Sequence, residues 1–562
     1  MKTIVNRIIS LSIILIVGVI SNSCKDDYLD FTPVASVNDA SFYKTMNQAE
    51  QAVAAAYSTL STRTAWERDI VLYLGEVPSN DAEAGGDYEN EVPEVEEFNR
   101  FTFTPSSLVL ENSYGVLYRG IYFSNLAMER IPNVLDEDPA ASATIINTRI
   151  AELKFLRALN YMYLVMIFGE VPLVDHTLLP EEYFMDVSTI SDIFDLIEQD
   201  LNEAIPVLPE KDDLAASDVG RATKGAARGL LAKMYLFESS YARYYPGDSR
   251  FEGLTERWGD VLSVCEDIMA SDQYELIGSN GETFDTWISH TTNAYRYIFT
   301  VDGENSKECL FSIQFINDGV PYTLTRAGSL VQWTSARYYD NAGTKTATSY
   351  WGLGWPTQSL VDEYDNDDVR LRSNISMPAD GTYPGDSIML ASGNLGLVDY
   401  TNTETGYYIN KFELSRDQFA GAPGHGWQKS PYNTILIRYA DIYLMAAEAA
   451  IILGNNDKAL EYINKVRTRA RMCGGTGSTV PADLTGTVTF EQLVKDRRME
   501  LALEGHRYFD LLRWNLAESV LSGTFTPLGF PVEFESPKHD FMPLPQSEII
   551  KNQGALTQHE GW

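Results

Sequence analysis

The chain has 562 residues, of which 44% are hydrophobic and 12% aromatic, a composition that predicts a folded globular protein and excludes a disordered one. Its formal net charge is −36, and a surface this acidic repels polyanions, which argues against nucleic acid and, less strongly, against highly anionic glycans. At this length, two to four structural units are expected.

The first 24 residues have the pattern of an export signal. Lys2 and Arg7 precede an apolar stretch at 8–20 that is too short to span a bilayer. Ser21-Asn-Ser then leads into Cys24, which predicts a lipoprotein signal peptide at 1–23 and a lipidated Cys24. The alternative is an ordinary signal peptide with an incidental cysteine. Removing 1–23 takes away two basic and no acidic residues, so the net charge falls to about −38.

Helical spacing of apolar residues dominates the next part of the chain. After an extended tether at 24–40, amphipathic helices are predicted at 41–60, 111–134, 145–168, 190–205, 221–236 and 258–269. We assign 41–271 to an N-terminal region of paired helices.

The segment from 74 to 105 interrupts this pattern because it is rich in glutamate, glycine and proline. Such a composition predicts a solvent-exposed loop. Loops on rigid scaffolds are frequent ligand contacts, so Asn80, Asp81 and Tyr88 are minor candidates for ligand binding.

Residues 272–432 differ from the helical regions. Glycine, asparagine, threonine and aspartate dominate, and 308–315 alternates like a short strand. The region is therefore predicted to be a loop-rich insert that binds the ligand. Flat aromatic rings match the apolar faces of sugars, although a lone tryptophan is more often a core residue. The aromatic candidates are Trp287, Tyr295, Tyr297, Trp333, Tyr338, Tyr339, Trp351 and Trp355. Trp351-Gly-Leu-Gly-Trp355 is the best single segment.

Helical periodicity returns after residue 433. From Ile435, apolar residues recur every four positions up to Ile451, and Gly454-Asn455 ends this helix. A second helix follows, and Ala447, Ala459 and Ile463 take the small positions of a tetratricopeptide (TPR) repeat. The eight predicted helices therefore form about four hairpins, one of them in a C-terminal region at 433–562.

The sequence contains no motif that predicts a catalytic or a metal site. No HExxH, GxSxG, Walker or GxGxxG motif is present. His506 and Asp510 lie one helical turn apart; a metal pair or acid–base dyad is conceivable, but a structural network with Arg497 or Arg498 is favoured. Asp365-Asn-Asp-Asp lacks the glycine and distal glutamate of a calcium loop, which favours a helix terminus in water. Cys265, Cys309 and Cys473 have no disulfide or metal spacing and are predicted to be buried thiols.

Three blocks in order carry a family resemblance: IRYADIYLMAAEAA at 437–450, EQLVKDRRMELALEGHRYFDLLRW at 491–514 and FMPLPQSE at 541–548. Together with IAELKFLRALNYMYLVMIFGEVPLV at 150–174, they resemble the SusD/RagB family of outer-membrane nutrient-binding lipoproteins. Lys25-Asp-Asp after Cys24 also resembles the family's signal for surface export. In the family, the block at 491–514 belongs to the scaffold.

The resemblance implies a mostly α protein of TPR-like hairpins that is anchored to outer-membrane lipid through Cys24 and exposed at the cell surface. It implies an oligosaccharide ligand, no cofactor and a SusC-like TonB-dependent transporter as partner. A RagB-like peptide-binding protein is the alternative. A surface glycoside hydrolase and a TPR adaptor without a small ligand are weaker rivals.

Overall fold

The computed structural model describes residues 42–62, 64–86, 91–282, 284, 293–316, 327–336, 351–379, 387–389, 395–398, 400–401, 403–412, 430–475 and 477–562. Outside these residues lie Cys24, the signal peptide, the tether and four of the aromatic candidates, namely Tyr88, Trp287, Tyr338 and Tyr339. The described chain is mostly helical, as predicted.

The helices are α1 (Met46–Ser58), α2 (Pro93–Arg100), α3 (Leu108–Arg130), α4 (Val134–Glu137), α5 (Ala143–Phe168), α6 (Ile190–Ala204), α7 (Lys224–Tyr244), α8 (Trp258–Met269), α9 (Ala294–Tyr297), α10 (Leu330–Thr334), α11 (Gln358–Val361), α12 (Val369–Asn374), α13 (Tyr439–Ile452), α14 (Asn456–Cys473), α15 (Phe490–Leu501), α16 (Arg507–Arg513), α17 (Ala517–Leu521) and α18 (Gln546–Lys551). A π-helix spans Ala65–Glu76, and short 3-10 turns include Pro180–Glu182, Ser249–Phe251 and Lys538–Asp540.

The strands are β1 (Ala82–Gly85), β2 (Cys309–Ile313), β3 (Leu353–Pro356), β4 (Ile375–Ser376), β5 (Ser387–Met389), β6 (Leu395–Leu397), β7 (Tyr408–Ile409) and β8 (Thr434–Arg438). They form four antiparallel pairs, namely β1 with β3, β2 with β8, β4 with β7 and β5 with β6.

Eight helices form the scaffold, and each packs on the next in the order α1, α3, α5, α6, α7, α8, α13 and α14. These are the eight helices predicted from periodicity. The segment between α8 and α13 does not interrupt the stack, because α13 packs directly on α8. Pairwise stacking of this kind buries a continuous core between neighbouring hairpins.

The C-terminal hairpin shows why the chain turns where the sequence predicts. Gly454 adopts a φ of +73°, which a side chain would disfavour, and the Asn455 side chain accepts a hydrogen bond from the Lys458 backbone at the start of α14. Ala447, Ala459 and Ile463 have no exposed surface. The TPR-like hairpin is confirmed.

The start of this hairpin differs from the prediction. Residues 435–438 belong to β8, and the helix begins at Tyr439. The reason is tertiary, since β8 pairs with the predicted strand β2 and the Tyr439 backbone N–H donates to the Glu308 carbonyl at 2.8 Å. The apolar run Ile435-Leu-Ile437 is too short to distinguish a strand from a helix.

Buried ion pairs hold the block at 491–514 in the core. Arg497 contacts Asp441 at 2.5 Å and Asp510 at 2.6 Å, so the structural role predicted for Asp510 is confirmed. Burial lowers the pKa of His506 to about 4, which keeps its ring neutral at pH 7. Arg438 likewise contacts Glu500 at 2.7 Å.

The prediction of a solvent-exposed loop at 74–105 is wrong for the described residues. The segment contains the end of the π-helix, β1 and α2, and Val95 and Phe98 are fully buried. Two of its acidic residues have partners. Glu76 accepts a hydrogen bond from the Gly505 backbone at 2.9 Å, and Glu96 pairs with Arg100 at 2.8 Å.

Other features agree with the sequence. Asp368 caps α12 and pairs with Arg370 at 2.7 Å, which confirms a helix terminus there. Residues 365–367 are exposed as expected, whereas Asp368 is 2% exposed because its carboxylate is held in a buried pair with Arg370. Cys265, Cys309 and Cys473 are buried free thiols. Across the described ranges, no helix is both long and apolar enough to cross a bilayer.

Candidate ligand-binding site

Two of the predicted aromatic residues lie together. The rings of Trp333, on α10, and Trp351, just before β3, have centroids 5.5 Å apart and planes tilted by 36°. The Trp351 backbone N–H donates to the Gln332 carbonyl at 3.0 Å. Trp351 is partly exposed, whereas Trp333 retains 9% of its surface. Trp351 therefore keeps part of its surface accessible to solvent, and Trp333 packs against it.

Glu67 of the π-helix positions the helix that carries Trp333. Its carboxylate accepts hydrogen bonds from the backbone N–H and hydroxyl of Ser329, the residue before α10, and from the Thr434 hydroxyl at 2.8 Å. Burial raises the pKa of Glu67 to about 7, although these hydrogen bonds oppose the shift. Glu67 thus connects the π-helix, α10 and β8.

The π-helix also places a cation beneath the tryptophan pair. The Arg68 guanidinium lies 5.2 Å from the centre of the Trp333 ring and 5.3 Å from that of Tyr73, within the range of a cation–π interaction. Its Nε contacts Asp69 Oδ1 at 2.6 Å. Burial raises the pKa of Asp69 to about 6, opposed by Arg68. Arg68 is therefore charge-compensated and orients Trp333.

Strand β3 determines the orientation of the segment from Trp351 to Trp355. It pairs with β1 so that Trp355 lies opposite Glu83, and the Gly86 backbone donates to the Gly352 carbonyl at 3.0 Å. A Cβ on Gly85 would lie 2.5 Å from that carbonyl oxygen. The close approach of the two strands requires glycine, and it sets Trp351 at the end of the ladder.

Three other candidates are buried, contrary to the prediction that they contact ligand. Trp355 is 3% exposed. Tyr295 has no exposed surface, and its hydroxyl donates to the Glu500 carbonyl at 3.0 Å. Asp81 pairs with Arg498 at 2.6 Å. None of the three side chains faces solvent.

Tyr297 and Asn80 are partly exposed but do not join the tryptophan pair. Tyr297 stacks on Phe284 with ring centroids 4.0 Å apart, and its hydroxyl donates to the Asp302 carbonyl at 2.6 Å. The Asn80 side chain accepts from Arg507 Nε at 3.2 Å. Both stay candidates only for a ligand that extends beyond the Trp333–Trp351 pair.

Glu67, Arg68 and Asp69 belong to the site, although the sequence did not identify them as candidates. The signal available was three consecutive charged residues inside an otherwise apolar run, Ala65 to Leu74. Charges in such a run predict buried partners, but their contact with Trp333 depends on the tertiary fold.

In the part of the chain that the structure describes, no group of three His, Cys, Asp or Glu side chains is arranged to hold a metal ion. The described carboxylates around Arg68 are engaged with the arginine itself or with backbone and hydroxyl donors. The arrangement suits stacking and hydrogen bonding.

Comparisons with known proteins agree with this description. A sequence profile described as the SusD family matches residues 307–562, and one described as starch-binding associating with outer membrane matches residues 28–236. A SusD-like protein of Bacteroides ovatus is 27% identical over 512 residues, which cover 88% of this chain and 80% of that protein.

Solved structures extend the similarity to the fold. A laminarin-binding SusD-like protein is 25% identical with a TM-score of 0.71, and the match covers 92% of this chain and all of that one. Surface glycan-binding protein A from Bacteroides thetaiotaomicron, in complex with laminarihexaose, is 21% identical with a TM-score of 0.71, covering 92% and 99%. The two profiles together span most of the sequence, and the chain belongs to the SusD family.

Proposed function

We propose that this protein is a non-enzymatic surface lipoprotein that binds neutral oligosaccharides on Trp351 and delivers them to a SusC-like TonB-dependent transporter. The observation that carries the proposal is the Trp333–Trp351 pair, in which Trp351 is partly exposed and Trp333 contacts Arg68. A flat indole matches the C–H face of a sugar ring at little conformational cost.

The charge at the site favours a neutral ligand. Arg68 is compensated by Asp69, and the whole protein is strongly acidic, so an anionic glycan would be repelled. The names of two structural neighbours include laminarin and laminarihexaose, which supports a carbohydrate rather than a peptide.

The family membership motivates the remaining parts of the proposal. Cys24 would anchor the chain to the outer membrane, and the family description associates its members with that membrane. We further propose that the stacked helices face the transporter while the insert at 272–432 holds the ligand. Trp333 and Trp351 belong to that insert, although Arg68 contributes from outside it.

Calorimetric titration of the soluble, untagged protein with neutral hexasaccharides tests the ligand class. Laminarihexaose, maltohexaose and cellohexaose are suitable probes. We expect at least one to bind with an affinity insensitive to salt, since a neutral ligand releases no counterions, and to be recovered uncleaved. Peptide binding without sugar binding would favour the RagB-like alternative, and release of shorter sugars would indicate a hydrolase.

A further inference from the structure

A cavity separate from the tryptophan pair lies between the C-terminal segment and the chain that precedes α6. Its volume is about 410 Å³, within the range of roughly 300–1,000 Å³ that is usual for small-molecule sites. One wall comes from Glu170 and residues 186–187, another from Arg250, and the third from residues 537–560. None of these residues contributes to the Trp333–Trp351 pair.

The walls of this cavity are held by contacts of their own. The Gln558 side chain accepts from the Leu544 backbone N–H at 2.9 Å and donates to the Leu544 carbonyl at 2.8 Å. Gly169 has a φ of +68°, and a Cβ there would lie 2.8 Å from the Phe541 ring. The C-terminal segment is therefore packed directly against the end of α5, which gives the cavity a preformed shape.

Charge in the cavity disfavours an anionic ligand. Arg250 is compensated by Asp248 at 2.6 Å and Asp540 at 2.9 Å. Lys538 lies over the Trp562 ring, 4.4 Å from its centre. The other ionised groups on the walls are the carboxylates of Glu170, Asp186 and Glu560. Acidic groups thus exceed uncompensated cations.

The remaining groups match the surface of a sugar. Phe541 and Val187 provide apolar surface, while the side chains of Thr557, Glu170 and Asp186 offer groups that can hydrogen-bond to sugar hydroxyls. His559 also lines the cavity and is partly exposed.

Exposed aromatic residues lie close in sequence to the cavity lining. Tyr183 and Phe184 are 55% and 48% exposed, and they come three and two residues before the lining residue Asp186. Large exposed aromatic residues often mark ligand or partner contact.

We propose that this cavity is a second carbohydrate site that takes one or two sugar units of a neutral glycan. The proposal rests on the proposed function for its ligand class, but it concerns residues separate from the tryptophan pair. A long glycan that reaches both sites would be retained more strongly than by the pair alone, because its second binding event becomes intramolecular.

Calorimetric titration with laminarihexaose, maltohexaose and cellohexaose on four proteins tests the proposal: the parent, Trp351→Ala, Thr557→Trp and the double variant. Thr557 is exposed, so an indole there fills the cavity without disturbing the core. Asp186→Ala is a milder second variant, with Asp195→Ala on the exposed side of α6 as its matched control.

We expect two binding events in the parent. Thr557→Trp should remove one and Trp351→Ala the other, while Asp186→Ala should weaken the cavity event at least tenfold and Asp195→Ala should leave it unchanged. If the parent shows one event that Trp351→Ala abolishes and Thr557→Trp leaves intact, the cavity site is refuted and the proposed function stands. If the parent binds none of the sugars, both fail.

Discussion

Replacement of Asp510 by alanine tests whether the block at 491–514 is scaffold or active site. Asp510 accepts from Arg497 Nε at 2.6 Å and from Arg513 Nε at 2.8 Å, and it is 4% exposed. Removing one partner of a buried pair costs about 3–5 kcal/mol. Because Arg497 keeps Asp441 and Arg513 keeps Glu448, we expect the lower end, about 3 kcal/mol.

Urea unfolding followed by tryptophan fluorescence measures this loss, and titration of the folded protein with oligosaccharide shows whether binding survives. Asp213→Ala, at an exposed position, is the matched control and should change the free energy of unfolding by less than about 0.5 kcal/mol. Normal stability of the Asp510→Ala protein together with lost binding, or with lost turnover of any sugar, would show that Asp510 acts on ligand.

Three further predictions concern other parts of the molecule. The raised pKa of Glu67, about 7 against 4.5 for a free side chain, means that its proton stabilises the fold below pH 4.5 and that this contribution is lost as pH rises through 7. Between pH 5 and pH 8 the parent should lose about 2–3 kcal/mol of its free energy of unfolding through Glu67, and the Glu67→Gln variant should not show this loss. Identical pH profiles for the two proteins would contradict this. Gly75→Ala should destabilise the protein by about 1–3 kcal/mol, because the new Cβ would lie 2.6 Å from the Gly505 carbonyl oxygen. Gly115→Ala, a helical glycine with no atom within 4 Å, should instead stabilise it by up to about 1 kcal/mol; equal melting temperatures for the two variants would be inconsistent with the packing. Cys24→Ala should move the protein from the membrane fraction to the soluble fraction, and a variant still bound at the cell surface would disprove the lipid anchor.

Local patterns were sufficient to predict the scaffold. Apolar residues recur with helical spacing on all eight stacked helices, and the turn at Gly454-Asn455 has its own conformational and capping signals. The prediction failed where the partner is distant in sequence. Residues 435–438 form a strand because they pair with β2, and no local property of that run distinguishes a strand from the first turn of a helix.

The site was predictable only in residue type. Trp351 and Trp355 are four residues apart in one glycine-rich segment, yet the first is partly exposed and the second is buried. Their difference follows from the pairing of β3 with β1, which the sequence does not encode locally. Arg68 is likewise one of three consecutive charged residues in the sequence, and only the fold places it against Trp333.

Titration of Trp351→Ala beside the parent is the most direct test of oligosaccharide capture on the tryptophan pair. With the hexasaccharide that binds most tightly to the Trp351 site, we expect loss of a stacking hot spot to cost about 2 kcal/mol, or about thirtyfold in affinity. Tyr122→Ala, at an aromatic residue that is 48% exposed on α3, should bind as the parent does. A folded Trp351→Ala protein with parental affinity at every site would contradict the assignment of Trp351 as the sugar platform.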